Sequence, residues 1–170
     1  MSTTYPIDAP HQIEGYDLED VGNFIDSLED ACYQAAHRNG WHNDYPVRDQ
    51  YDSDKAYLKA HLNWTIAKLF LIVDEACEGG NELRSGHGAT DTYYKDERPG
   101  SPTEGSVYPE QLWLKGVPQY KPEGLPSELA DILIRTFDLA GVLGINLGQA
   151  VVGKLLYNAT RGERHGGRAF

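Results

Sequence analysis

The stretch Leu58-Lys-Ala-His-Leu62-Asn-Trp-Thr-Ile66-Ala-Lys-Leu69-Phe-Leu-Ile-Val73-Asp-Glu75-Ala-Cys77-Glu78 decides the fold. Leu58, Leu62, Ile66, Leu69, Val73 and Cys77 return at intervals of three and four, the period of one face of an α-helix. Gly79-Gly80 follows, and each glycine costs roughly 1 kcal/mol relative to alanine in a helix interior. The helix is therefore expected to bend or end there, although Glu82-Leu83-Arg84 resumes the pattern.

Working outward, Leu18, Val21, Ile25, Leu28, Cys32 and Ala35 mark an earlier amphipathic helix, with Asn39-Gly40 as its stop. Residues 1–16 show no period and contain Pro6 and Pro10, which predicts an arm or a disordered tail. A third helix is predicted from Pro126, a residue suited to a first turn, with Leu129, Ile132, Leu133, Thr136, Phe137 and Ala140 buried and Gly144 as stop. Asn146 and Gln149 read as a capping box for a fourth, striped by Leu147, Val151, Leu155 and Tyr157. Without strand–helix alternation, these four helices predict an all-α fold with a four-helix bundle-like core over residues 17–168. Residues 86–124 are rich in Gly, Pro and aromatic side chains and form a long irregular insertion between helices 2 and 3. It is too long for a bare connection, so it is expected to be functional or partly ordered. A short hairpin through Val107-Tyr108 and Leu112-Trp113-Leu114 is the expected element within it.

Fifteen Lys and Arg against 26 Asp and Glu leave a formal charge of −11. That balance argues against a surface for polyanionic nucleic acid. A small phosphorylated substrate remains compatible, because a divalent metal inverts the field of an acidic site. Cys32 and Cys77 are expected to be buried thiols in a reducing compartment. No apolar leader segment and no membrane-length apolar run are visible, so a cytoplasmic chain without a membrane partner is expected.

The chemistry is carried by acids. Glu75 and Glu78 lie three apart on helix 2, and Glu128 and Asp131 repeat that spacing on helix 3. Antiparallel packing of the two helices would gather four carboxylates, whose mutual repulsion calls for cations, and such hard oxygen donors suit Mg²⁺ or Mn²⁺. Spacing alone leaves a second reading open, a solvated face with Glu128 complementing a helix dipole. On helix 4, Lys154, Asn158 and Arg161 share a face, followed by Arg164 and His165. These suit phosphate oxygens and a base or sugar, but taken alone they read as cations favoured at a helix C-terminus. Gly148 to Lys154 has the spacing of a phosphate loop. It lacks the following hydroxyl residue and a preceding strand, and is rejected as one. The histidines show no zinc-like spacing.

These residues together resemble the MazG-like all-α nucleoside triphosphate pyrophosphohydrolases. That family's E-x-x-E and E-x-x-D signatures read here as Glu75-Ala-Cys-Glu78 and Glu128-Leu-Ala-Asp131. Their flanks, Lys68 to Asp74, Leu83-Arg84 and Ile132-Leu-Ile-Arg135, match as well. Asn39-Gly-Trp41-His42 and Lys154-Leu-Leu-Tyr-Asn158-Ala-Thr-Arg161 are similar to segments of phage-type members, and the likeness covers residues 18–168. Two features depart from the family: the 86–124 insertion and the Gly79-Gly80 pair. The resemblance implies hydrolysis of (deoxy)nucleoside triphosphates between the α- and β-phosphates, giving monophosphate and pyrophosphate. Glu75, Glu78, Glu128 and Asp131 would hold Mg²⁺ and activate the attacking water. Lys154, Arg161 and Arg164 would meet phosphates, Asn158 the base or sugar, and Trp41 and His61 would line the base pocket. It further implies a homodimer or homotetramer in a bacterial or phage-infected host cytoplasm. The alternatives are a narrower dUTP, dCTP or phosphoribosyl-ATP hydrolase, and a catalytically silent helical module that binds nucleotide or a partner.

Overall fold

The computed structural model describes residues 12–13, 15–96 and 120–159. Arg161, Arg164 and the hairpin expected over 107–114 lie outside them. The fold is all-α, as the sequence predicts. Among the described residues there are four helices: α1 (Leu18–Arg38), α2 (Asp54–Arg84), α3 (Leu125–Leu143) and α4 (Leu147–Ala159). Two small antiparallel pairs accompany them, β1 (Gln12–Ile13) with β2 (Tyr16–Asp17), and β3 (Tyr93–Asp96) with β4 (Tyr120–Glu123). The first pair places a turn of ladder inside the segment expected to be an irregular arm. The second joins the two ends of the insertion. Among the described residues no single helix is long and apolar enough to cross a membrane.

The chain divides into two compact units. One holds α1, α4 and α3 from Phe137 onward; the other is Tyr45–Thr136, with α2, β3, β4 and the start of α3.

In the first unit α1 opens on Asp17, whose carboxylate accepts from the Glu19 amide at 2.8 Å. Asn39 and Gly40 (φ +79°) end it, as the sequence predicts. Helix α4 lies along α1 and is capped twice over. Asn146 Oδ1 accepts from the Gln149 amide at 2.8 Å, while Asp26 and Glu29 of α1 accept from the Gly148 and Leu147 amides at 3.0 and 3.3 Å. These carboxylates satisfy donors that a helix N-terminus otherwise leaves to water. Gly148 is what lets the helices come this close: a Cβ there would overlap Asp26 Oδ1 and stand 2.5 Å from the Gly22 carbonyl oxygen. The buried row of α4 is consequently Gly148 and Val152, one position on from the predicted stripe, and Leu155 and Tyr157 are exposed. Where α1 gives way to its turn, His42 Nε2 meets Asp138 Oδ1 at 2.7 Å and the His42 ring stacks on Tyr33.

In the second unit Ser53 caps α2 through the Ala56 amide, and the helix then runs unbroken for 31 residues. Gly79-Gly80 does not end it, and Arg84 is its last residue. Helical propensity has been overridden by tertiary contact at Gly79, which is buried.

The larger correction concerns which face of α2 is buried. Leu58, Leu62, Ile66, Leu69, Val73 and Cys77, the predicted stripe, are all exposed, as is Phe70. Cys77 is therefore not a buried thiol, and Cys32 is half-buried. At 3.6 residues per turn the opposite face carries Tyr57, His61, Trp64, Lys68, Leu71, Glu75, Gly79 and Glu82. Every one of these is buried or half-buried. Helix α3 departs less: of its predicted stripe Leu129 and Leu133 are exposed, but Ala140 is buried and Ile132, Thr136 and Phe137 are half-buried, with Glu128 buried beside them.

Candidate functional site

The acid-bearing faces of α2 and α3 meet in an acidic centre. Gly79 sets the spacing, since a Cβ on it would lie 2.9 Å from Leu125 Cδ1 and 3.4 Å from Glu128 Cβ. Its bare backbone lets the first turn of α3 settle on α2, so that Glu128 comes beside Glu75. Glu75 and Glu128 are only 5 % and 4 % exposed. Glu75, Glu128 and Asp131 each present an oxygen within 4.8 Å of the others. A second triplet, Glu82, Glu123 and Glu128, meets the same limit, and Glu128 belongs to both.

Crowded carboxylates in a dry place hold protons. Glu128 is pushed up to about 7, first by burial, then by its hydrogen bond with Glu75, then by the charges of Glu78, Glu75 and Asp131. Asp131 is raised by burial and by Glu75, against the opposing pull of Arg135 and Lys121. Arg135 Nε pairs with Glu75 Oε1. This is the pattern expected where a low dielectric and like charges disfavour the ionised form.

The β3–β4 pair edges this centre. Tyr93 donates its hydroxyl proton to the Glu82 carboxylate at 3.1–3.2 Å, and its ring stacks on His87 with centroids 4.6 Å apart. Lys95 Nζ and Lys121 Nζ both reach Glu123 Oε1, at 3.4 and 3.1 Å. Burial opposes charge on Lys95, but Glu123 and Tyr93 together outweigh it and hold the ammonium above the ordinary lysine range.

Three of the four predicted acids are thus brought together. Glu78 is exposed and outside the triplets, though close enough for its charge to act on Glu128. Lys154 and Asn158 are exposed on α4, in the other unit, with Lys154 Nζ 5.3 Å above the Tyr157 ring. Trp41, also in that unit, is exposed. His61 lies on the acid-bearing face of α2 but some 20 Å along the axis from Glu75, counted at 1.5 Å per residue. There it accepts or donates a 3.0 Å hydrogen bond with Tyr45 and packs among Tyr45 and Tyr57.

Sequence reasoning missed Arg135, Glu82, Glu123, Lys95 and Lys121. The first two carried a signal, each lying seven residues beyond a predicted acid and so on the same helix face. The other three depend on strands pairing across the insertion, which no local pattern announces. No family model matches the chain, and neither does any curated protein or any solved structure.

Proposed function

We propose that this chain is a MazG-like nucleoside triphosphate pyrophosphohydrolase of the cytoplasm, dependent on Mg²⁺ or Mn²⁺, that cleaves (deoxy)nucleoside triphosphates to monophosphate and pyrophosphate. The observation that carries the reading is the convergence of Glu75, Glu128 and Asp131, two of them buried, from two helices. Burying carboxylates against one another costs several kcal/mol unless a cation or proton compensates. The donor set fits the ion: three carboxylates each offer an oxygen within 4.8 Å of the others, and such hard donors suit Mg²⁺ or Mn²⁺. When bound, the metal would polarise the phosphoryl oxygen and lower the proton affinity of water.

The chain's own residues do the rest. Glu75, Glu128 and Asp131 would hold the cation, and Glu78 would complete the ligand set from its exposed side. Arg135 pairs with Glu75 and would hold it in place when the cation is away. The burial of Glu75 and Glu128 strengthens the interactions that these two make.

The test is pyrophosphate release from a panel of nucleoside and deoxynucleoside triphosphates with Mg²⁺. We expect turnover that chelation abolishes and that Glu78→Gln impairs. A folded chain that yields no pyrophosphate from any of them would instead be a nucleotide- or partner-binding module, and full activity in Glu78→Gln would remove that residue from the site.

We further propose that the active species is a homodimer or homotetramer. The exposed row from Leu58 to Val73 supports it, because contiguous apolar surface of this kind marks association sites, and a second copy of the chain offers the same row in return.

A further inference from the structure

We propose that Lys95 and Lys121 serve as a resident counter-cation for the outer triplet, Glu82, Glu123 and Glu128, and so close it to divalent metal. Taken with the metal reading above, on which this consequence rests, the centre holds one ion rather than two, at Glu75, Glu128 and Asp131.

The two triplets meet the same spacing limit and share Glu128, so oxygen geometry does not separate them. Their compensation does. In the outer triplet Glu123, whose side chain is buried, receives both ammonium groups on one oxygen, Oε1, at 3.4 and 3.1 Å. Glu82 accepts the Tyr93 hydroxyl at both of its oxygens, at 3.2 and 3.1 Å, and His87 Nε2 stands 3.8 Å from Oε2. In the inner triplet Arg135 pairs with Glu75, and the charge of Glu78 adds to that of the three acids. Lys121 is engaged beyond Glu123 as well, and its charge acts on Asp131. Counting Lys121 on both sides, three outer carboxylates face two cations, Lys95 and Lys121, whereas four inner ones, Glu78 included, face Arg135 and Lys121. The larger deficit lies on the inner side, and it is the size of one divalent charge.

The β3–β4 pair places the lysines for this role. They are direct partners in its register, and like charges opposite one another on an antiparallel pair are destabilising. The Glu123 carboxylate offsets that by taking both, and a carboxylate buried without such partners is strongly unfavourable. Lys95 Nζ also lies 5.5 Å from the centroid of the Tyr93 ring, a cation–π contact. Tyr93 thereby joins the lysine to Glu82, the far acid of the triplet. A divalent ion seated on Glu123 would meet two ammonium groups on the same carboxylate and be repelled by both. It would also compete with the Tyr93 hydroxyl for Glu82.

The experiment counts Mn²⁺ ions bound per folded chain, by titration calorimetry and by the paramagnetic resonance of free Mn²⁺. It compares wild type, the double variant Lys95→Met with Lys121→Met, and that double variant carrying Glu123→Gln as well. The double variant should bind one ion more than wild type, and the triple variant should lose that extra ion. Equal counts in wild type and double variant would overturn the proposal, as would an extra ion that survives Glu123→Gln. So would a wild type that already binds two ions and loses one to Glu123→Gln alone. Should the double variant unfold in chelator, Mn²⁺ itself decides: the ion should take the place of the lysines and restore the helical circular dichroism and the melting transition. A chain that stays unfolded in millimolar Mn²⁺ would overturn the proposal. The metal reading is judged apart from this. A wild type that binds no Mn²⁺ sinks that reading, and the role of the lysines then stands or falls on the ion gained by the double variant.

Discussion

Helix α2 has two faces, and the polar one is inside. Glu75, Gly79 and Trp64 are buried, while Leu62 is 57 % and Phe70 67 % exposed. A lone amphipathic helix would turn the other way, leucines in and glutamates out. The two faces therefore answer to different partners. The acid face is built against α3 and the β3–β4 pair, where Gly79, Arg135 and the second carboxylate triplet make room for charge. The leucine face has the composition of a core row without core around it, and we ascribe it to contact with a second copy.

The acid face should break most sharply at Asp131. Asp131→Asn removes a ligand charge but keeps the shape, so the fold should survive while Mg²⁺ affinity and kcat/KM fall about 100-fold or more, given what single ligands to catalytic metals contribute. Titration calorimetry and pyrophosphate release measure the two losses. Unchanged Mg²⁺ affinity would show that the triplet is not the metal site.

The leucine face is tested by Ile66→Lys with Leu69→Lys. Analytical ultracentrifugation of wild type should show a dimer or tetramer at micromolar concentration, and the double variant a monomer. Because these side chains are exposed within one chain, a monomeric fold should lose no more than about 0.5 kcal/mol per site. A wild type that sediments as a monomer would refute self-association, and a double variant that unfolds would show that the row is needed within the chain.

How much of this was legible in the sequence differs between the same two faces. The helices were, because their stripes and caps are local: Asn146 capping α4 and Asn39-Gly40 ending α1 follow from side-chain chemistry within a few residues. The pairing of Glu75 with Glu128 was legible through two i, i+3 signatures. The inward face of α1 was legible too, since Leu18, Val21, Ile25, Leu28 and Cys32 are buried or half-buried, but that of α2 was not, because periodicity says which residues share a face and not what that face meets. Gly79 misled for a related reason. Its cost as a helix residue is local, whereas its benefit lies in Leu125 and Glu128, more than forty positions away. Lys95, Lys121 and Glu123 were invisible because strand register sets their meeting.

Proton linkage gives a smaller effect with a definite sign. Glu128 has its folded proton affinity raised to about 7, against 4.5 for the ordinary group. Below pH 4.5 the group is protonated in both states and imposes no penalty. Between 4.5 and about 7 the unfolded chain releases a proton that the native chain retains, so metal-free stability should fall as pH rises through that window. The loss is on the order of 1–3 kcal/mol. Thermal melts in chelator should show it, Glu128→Gln should flatten it, and added Mg²⁺ should restore stability at the alkaline end by taking the proton's place. A wild-type profile already flat from pH 4.5 to 7 would mean that Glu128 is ionised throughout.

The smallest effect is expected where two contributions oppose, at Gly79→Ala. Alanine improves helix propensity by up to about 1 kcal/mol. Its Cβ meets Leu125 Cδ1 at 2.9 Å, the far end of a flexible side chain that can move, and Glu128 Cβ at 3.4 Å, which is ordinary contact. Stability should therefore change by less than about 1 kcal/mol in either direction. Gly79→Val removes the balance: its γ-methyls project beyond the Cβ into the space of Leu125 and Glu128, and overpacking of that kind costs about 1–3 kcal/mol. The strain falls where Glu128 leaves α3, so Mg²⁺ affinity should drop in Gly79→Val and hold in Gly79→Ala. Equal Mg²⁺ affinity in the two variants would mean that the glycine serves the helix and not the site.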